Sequence, residues 1–257
     1  VIIIDINEYL KQRFNDELIK MSDDGKERDV NNLYITDITN DCLRKTFYAI
    51  KERRSGKKPN FTPASYYAFY LGHKIHDILL SNCYINADNE IQQLPQNYKL
   101  VASNKERVLY DVADEYNILG IYGVEVPVAD ERYKLYGRVD ELVLNDNKVY
   151  LIDKKTTGRI PKEPPLSYKK QVQYYAHLLK MNYGIKCNEI GILYINKAKY
   201  ELKYYPVDFD YDEIANDYEN TIQYILESVE NNELPPNTKN KYCYFCDYKD
   251  KCSNNEI

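Results

Sequence analysis

No run in this 257-residue chain approaches the roughly 18 apolar residues that a membrane-spanning helix needs. Its opening, VIIIDI, is too short for a secretory signal, so the expectation is a cytoplasmic protein with no membrane partner. Tryptophan is absent despite 28 tyrosines, and no function follows from that bias. No repeat and no glycine- or proline-rich linker marks a firm domain boundary. A phosphate-cradling GxxxxGK[ST] is also missing, which excludes a P-loop motor; Ser55-Gly56-Lys57-Lys58 lacks both the upstream glycine and the final hydroxyl. There is no overall basic excess either, the net charge being −5. Totals hide local patches, however, and Arg44, Lys45, Lys51, Arg53, Arg54, Lys57 and Lys58 face a single acid, Glu52, in one short segment. Arg44, Lys45, Arg53 and Arg54 are the candidates for phosphate contacts; a solvated helix face is the plainer alternative.

The most informative stretch is Gly137 to Gly158, GRVDELVLNDNKVYLIDKKTTG. Two β-rich runs flank a centre of turn formers, Asn145 to Lys148. If Asp146-Asn147 is a two-residue loop, Asn145 pairs with Lys148 and Asp140 falls opposite Asp153. Opposed residues hold their Cβ atoms roughly 4.5–5.5 Å apart on one face. Lys155 shares the face of Asp153 because strand side chains alternate, whereas Lys154 does not. Val139, Leu142, Leu144, Val149, Leu151 and Ile152 suit a sheet covered on both faces. Paired carboxylates there need a divalent cation or a proton.

Other segments supply companions. A helix is expected over Asp5–Met21 with an apolar stripe for packing, then a polar loop to Asn31. From Ile35 to Arg54 the chain starts as ITDITNDC and continues as an expected second helix, LRKTFYAIKERR, with Thr39 or Asn40 as cap and Cys42 in its first turn. A third, Thr62–Leu80, places Gly72 and His76 on one face, with glycine permitting close approach and imidazole a good ligand. His73 on the same helix is the alternative ligand. Residues 83–120 give no clear pattern. Ile121–Val128 reads as a strand containing Glu125, in a supporting role, with Pro127 marking an edge. A helix over Ser167–Tyr183 sets Gln171 and Tyr175 one turn apart. Strands at Glu189–Asn196 and Tyr200–Val207 and a helix over Asp210–Val229 complete an α/β pattern. His177, Cys83 and Cys187 are read as structural.

Six cysteines in such a protein favour metal or redox chemistry over disulfides. Cys243, Cys246 and Cys252 crowd the C-terminus as C-x2-C-x5-C, and Cys42 is the candidate fourth ligand.

GRVD followed by IDKKT resembles the GxxD…DxKT signature of RecB-like PD-(D/E)XK nucleases. Gly72…His76 matches the GxxxH of that family, and Gln171…Tyr175 its QxxxY. Cys42 with the C-terminal triplet resembles the iron–sulfur staple of AddB and of the CRISPR-associated members. The resemblance spans Cys42 to Cys252, departing mildly where DKKT replaces the commoner DYKT. It implies a restriction-endonuclease-like α/β core at 121–232, a helical region at 1–120 and a C-terminal cysteine segment at 233–257 packed against that region. It further implies that His76, Asp140, Asp153 and the Lys154 carbonyl hold Mg2+ or Mn2+, with Lys155, Gln171 and Tyr175 assisting. Cys42, Cys243, Cys246 and Cys252 would hold a [4Fe–4S] cluster, with [2Fe–2S] or Zn2+ as alternatives. The implied activity is exonuclease action on DNA, single-stranded or with single-stranded ends, with endonuclease action alongside. The implied setting is CRISPR spacer acquisition with an integrase partner. A stand-alone archaeal or viral replication or repair nuclease, and a non-cleaving DNA-binding subunit, are the alternatives. The oligomeric state is left open, a homo-oligomer included.

Overall fold

The computed structural model describes residues 6–22, 29–57, 62–95, 100–102, 109–111, 120–238 and 241–257. The first five residues, most of the expected polar loop and Lys58 lie outside the described residues. Chain order runs α1 (Ile6–Ser22), β1 (Leu33–Tyr34), α2 (Ile35–Ile38), α3 (Leu43–Arg54), α4 (Pro63–His76), β2 (Cys83–Asn86), β3 (Ile91–Gln93), β4 (Leu100–Ala102), β5 (Leu109–Asp111), β6 (Gly120–Tyr122), β7 (Val124–Asp130), β8 (Leu135–Asn145), β9 (Lys148–Thr157), α5 (Leu166–Tyr183), β10 (Glu189–Asn196), β11 (Leu202–Val207), α6 (Tyr211–Glu230) and α7 (Lys249–Asn254).

The main sheet is mixed and six-stranded, in the order β1-β8-β9-β10-β11, with β7 also paired to β8. Asp146 and Asn147 both take positive φ, 48° and 58°, as the tight turn joining β8 to β9 requires. The register follows from that turn: Asn145 pairs with Lys148 and Glu141 with Ile152. Val139, Leu142 and Leu151 are fully buried on alternate faces, so the hairpin lies between two layers. β9 and β10 are parallel, and α5 is the crossover between them. α5 packs on the sheet and against α6, which buries Ile214, Tyr218, Ile222 and Ile225 along one stripe. Flanked by helices in this way, the mixed sheet has a PD-(D/E)XK, restriction-endonuclease-like architecture.

Several elements differ from the sequence reading. The strand expected at 121–128 is two, β6 in a small sheet with β2 and β3, and β7 at the edge of the main sheet. Pro127 therefore costs no hydrogen bond on the open side. The helix expected to run on from ITDITNDC as LRKTFYAIKERR forms as α3, Leu43–Arg54, with the short α2 separate before it. Cys42 is the N-cap of α3, outside its first turn, and its N–H donates to Asn40 Oδ1 at 3.2 Å. Thr39 does not cap it; its hydroxyl donates back to Ile35 O. Helix α4 begins as expected, with Thr62 accepting from Ser65 N and proline at its first turn, but stops at His76 rather than Leu80. On α1, Leu18 is buried, while Leu10 and Phe14 of the expected packing stripe remain exposed.

Candidate active site

Continuing the hairpin register by one residue sets Asp140 opposite Asp153. On its other side β8 pairs with β7, where Val124–Glu141 and Val126–Val139 bracket Glu125 and Asp140. Glu125, Asp140 and Asp153 thus occupy corresponding positions on three neighbouring strands. Glu125 has φ of 48°, a left-handed backbone that a non-glycine residue adopts only at a cost of about 1 kcal/mol or more. Ligand atoms of His76, Glu125 and Asp140 lie within 4.8 Å of one another. Glu125 lies apart from the hairpin in sequence, and the β7–β8 pairing brings it to the acids.

His76 Nδ1 stands 3.5 Å from Asp140 Oδ2, so this imidazole meets the acids. Burial, reinforced by the Lys154 charge, lowers its pKa to about 4, leaving a neutral ring with a free lone pair. Burial raises Asp140 to about 6, with Glu125 adding to the shift and Lys155 opposing it. Burial likewise raises Asp153 to about 6, against the pull of Lys155 and with a push from Asp140. Asp153 is 1% exposed. Its Oδ1 accepts from Lys155 Nζ at 3.1 Å, while Oδ2 lies 2.8 Å from the same nitrogen without hydrogen-bond geometry. Oδ2 is therefore buried without a hydrogen bond. An orphaned carboxylate oxygen beside a second acid fits a hard divalent cation, which favours such oxygen-rich donors.

Lys155 is held against Asp153 and over the Tyr168 ring at 4.8 Å. Burial alone would lower its pKa, but Asp153 and Asp140 outweigh that and raise it, so it is an ammonium throughout the working range. Gln171 Nε2 donates to the Tyr175 hydroxyl at 3.2 Å, and both side chains are buried on the sheet-facing side of α5. The Tyr175 pKa is raised, by burial first and then by Asp153, so its phenol stays protonated. Gly137 explains how Tyr175 reaches the strand: a Cβ there would stand 2.8 Å from both Tyr175 Cε1 and Ile35 Cγ1. Gly72 is different. A Cβ at that position would meet Thr156 Oγ1 at an ordinary 3.6 Å, so close approach does not require glycine there.

A model of the PD-(D/E)XK nuclease superfamily matches residues 7–253. The chain belongs to this superfamily. Among curated proteins it is similar to the CRISPR-associated exonuclease Cas4 of Francisella tularensis subsp. novicida (strain U112), 29% identical over 140 residues. That match covers 51% of this chain and 66% of the relative, just under two thirds of its length. Among solved structures, the crystal structure of SSO0001 aligns over 98% of both chains with a TM-score of 0.46 and 16% identity.

Away from the acids of this nuclease fold, the basic segment is largely spent internally. Arg44 is 7% exposed; its Nε donates to Pro235 O at 2.7 Å and its Nη1 to Asn255 Oδ1 at 2.8 Å. Arg53 donates to both Asp37 oxygens and to Asn32 O. Both guanidiniums thus have acceptors within the chain, while Lys45 is half-buried and Arg54 exposed. The same helix α3, which starts immediately after Cys42, fastens the C-terminal cysteine segment. Arg44 Nη1 lies 3.9 Å from Cys252 Sγ, Tyr48 stacks on Tyr248, and Lys251 pairs with Glu52. Cys42, Cys243, Cys246 and Cys252 are all half-buried and none is in a disulfide. Four thiols are the donor number that a cluster or zinc takes, but among the described residues no three of these Sγ atoms come within 4.8 Å of one another.

Proposed function

We propose that this chain is a divalent-metal-dependent DNA exonuclease acting on single strands or single-stranded ends. The observation that carries the reading is the alignment of Glu125, Asp140 and Asp153 beside a neutral His76, with Lys155 fixed on Asp153. His76, Asp140, Asp153 and the Lys154 carbonyl would hold Mg2+ or Mn2+, with Glu125 as a further ligand. When bound, the metal supplies Lewis acidity toward the scissile phosphate and an acidified water at neutral pH. Lys155 cannot serve as a base, because its neighbours keep it charged. It stabilises negative charge developing on the phosphate and orients the attacking water. The protonated Tyr175, aligned by Gln171, donates a hydrogen bond to the strand and positions it. The expected products carry a 5′-phosphate and a 3′-hydroxyl.

Similarity to a CRISPR-associated exonuclease supports DNA-end processing during spacer acquisition, with an integrase as partner. Cys42, Cys243, Cys246 and Cys252 would hold a [4Fe–4S] cluster that clamps the chain ends, and exposed Arg54 with Lys45 would approach the backbone of the DNA. Anaerobically purified protein would be given end-labelled single- and double-stranded DNA with Mn2+ or EDTA, alongside a visible spectrum and iron assay. Brown protein that shortens single strands only with Mn2+ supports the whole reading. A brown, inactive protein that still binds DNA would move it to a non-cleaving subunit.

A further inference from the structure

Lys154 sits between two residues of the active site, yet its side chain leaves by the opposite face of β9 and is 2% exposed. Its Nζ has three acceptors: Glu141 Oε1 at 2.7 Å, His76 O at 2.9 Å and Ile78 O at 3.0 Å. An ammonium has three N–H donors, so it is fully satisfied. Glu141 is 0% exposed and accepts in turn from Leu80 N at 3.3 Å and Ser81 N at 3.0 Å. Together the pair holds the backbone at four points from His76 to Ser81. The ammonium thus takes the carbonyl of His76, the last residue of α4, and that of Ile78, two residues past the helix end.

The pair reaches the acids too. The Lys154 backbone N–H donates to Asp140 Oδ2 at 2.7 Å, the same oxygen that faces His76 Nδ1 at 3.5 Å. One residue therefore grips Asp140 through its main chain and the carbonyl of His76 through its side chain. We propose that the buried Lys154–Glu141 pair is a positioning device that sets His76 against Asp140, and so tunes affinity for the divalent cation. The two side chains touch neither substrate nor the reacting atoms. The inference rests on the metal-dependent reading above, and extends it to two side chains that meet no ligand. Groups orienting a metal ligand from behind typically contribute tenfold to a hundredfold in affinity.

The test is a double-mutant cycle on Mn2+ affinity, measured calorimetrically on the full chain. Lys154→Met keeps the stem and removes the donors. Because it strands the Glu141 charge, Lys154→Met/Glu141→Leu is made as well, removing both charges together so that folding is retained. Either variant in an otherwise native chain is expected to weaken Mn2+ binding about tenfold or more. In a His76→Ala background the same changes should have no further effect, since the residue they position is gone. Equal losses in both backgrounds, or unchanged affinity in the folded double variant, would overturn the proposal. If the native chain itself binds no Mn2+, the functional reading fails instead. A native chain whose affinity depends on His76 but not on Lys154 sinks only the positioning role. DNA KM, measured alongside, should stay constant while kcat at subsaturating Mn2+ falls.

Discussion

Replacing Asp153 with asparagine is expected to stabilise the metal-free protein while abolishing cleavage. Asp153 is almost fully buried and its pKa is raised from 3.8 to about 6. A carboxyl whose folded pKa exceeds its unfolded value is harder to ionise in the folded chain. Its ionisation subtracts from stability above the folded pKa, and that loss is absent below the unfolded one. At about 1.36 kcal/mol per pKa unit, the penalty near pH 7.5 is about 3 kcal/mol. Asparagine is nearly isosteric with the protonated acid and carries no charge, so most of this is recovered. Relief of Asp140 adds to the gain, whereas Lys155 loses one of its two carboxylates and subtracts. The net expectation is about 2–3 kcal/mol, or about 5–10 °C in Tm for a chain of this size. The assay is thermal unfolding in EDTA at pH 7.5 and again near pH 4.5. The advantage should be present at the higher pH and fall to about 1 kcal/mol at the lower, where Asp153 is protonated in the folded wild type but still largely ionised when unfolded. Saturating Mn2+ should close the gap from the other side, since a ligand at a hundred times its Kd adds about 2.7 kcal/mol to the wild type alone. A variant less stable than wild type in EDTA at pH 7.5 would refute the reasoning.

Three further outcomes are expected. Metal affinity should be flat above about pH 7 and fall on acidification, because the carboxylates of Asp140 and Asp153 both titrate near 6 in the free protein. Between pH 7 and 5 the drop should be about tenfold if one proton competes and about a hundredfold if two do, as read by calorimetry. Gly137→Ala forces its new methyl group against Tyr175 and Ile35 and should cost about 1–3 kcal/mol, with kcat falling because Tyr175 is displaced; unfolding and single-turnover kinetics check both. Asp41→Ala removes the carboxylate that accepts from Ser167 N and Oγ at the start of α5, where Pro165 offers no cap of its own, and should cost about 1 kcal/mol by denaturant titration.

What could be read from the sequence was local. Asn145 to Lys148 determines its own turn, and a two-residue turn dictates every pair above it, so the facing of Asp140 and Asp153 follows from a few residues. Gln171 and Tyr175 follow from helical spacing in the same way. Long-range polar contacts were not legible. Arg44 looked like a phosphate contact because charge is usually solvated, and only packing of the C-terminal segment shows its guanidinium bound to Pro235 and Asn255. Lys154 looked like a spare cation; its partner Glu141 lies 13 positions away and the carbonyls it holds lie 76 and 78 positions away. The same contacts gather the backbone just past the end of α4 at His76, where helical periodicity alone continues to Leu80. Glu125 enters the site through a strained backbone that no propensity predicts.

The central claim is that these acids hold a divalent cation that hydrolyses DNA. It is tested most directly by single-turnover cleavage of end-labelled single-stranded DNA, comparing the native chain with the folded Asp153→Asn variant over a Mn2+ titration. The account predicts saturable, Mn2+-dependent cleavage by the native chain and none by the variant at any concentration. Equal cleavage by both, or cleavage that persists in EDTA, would contradict it.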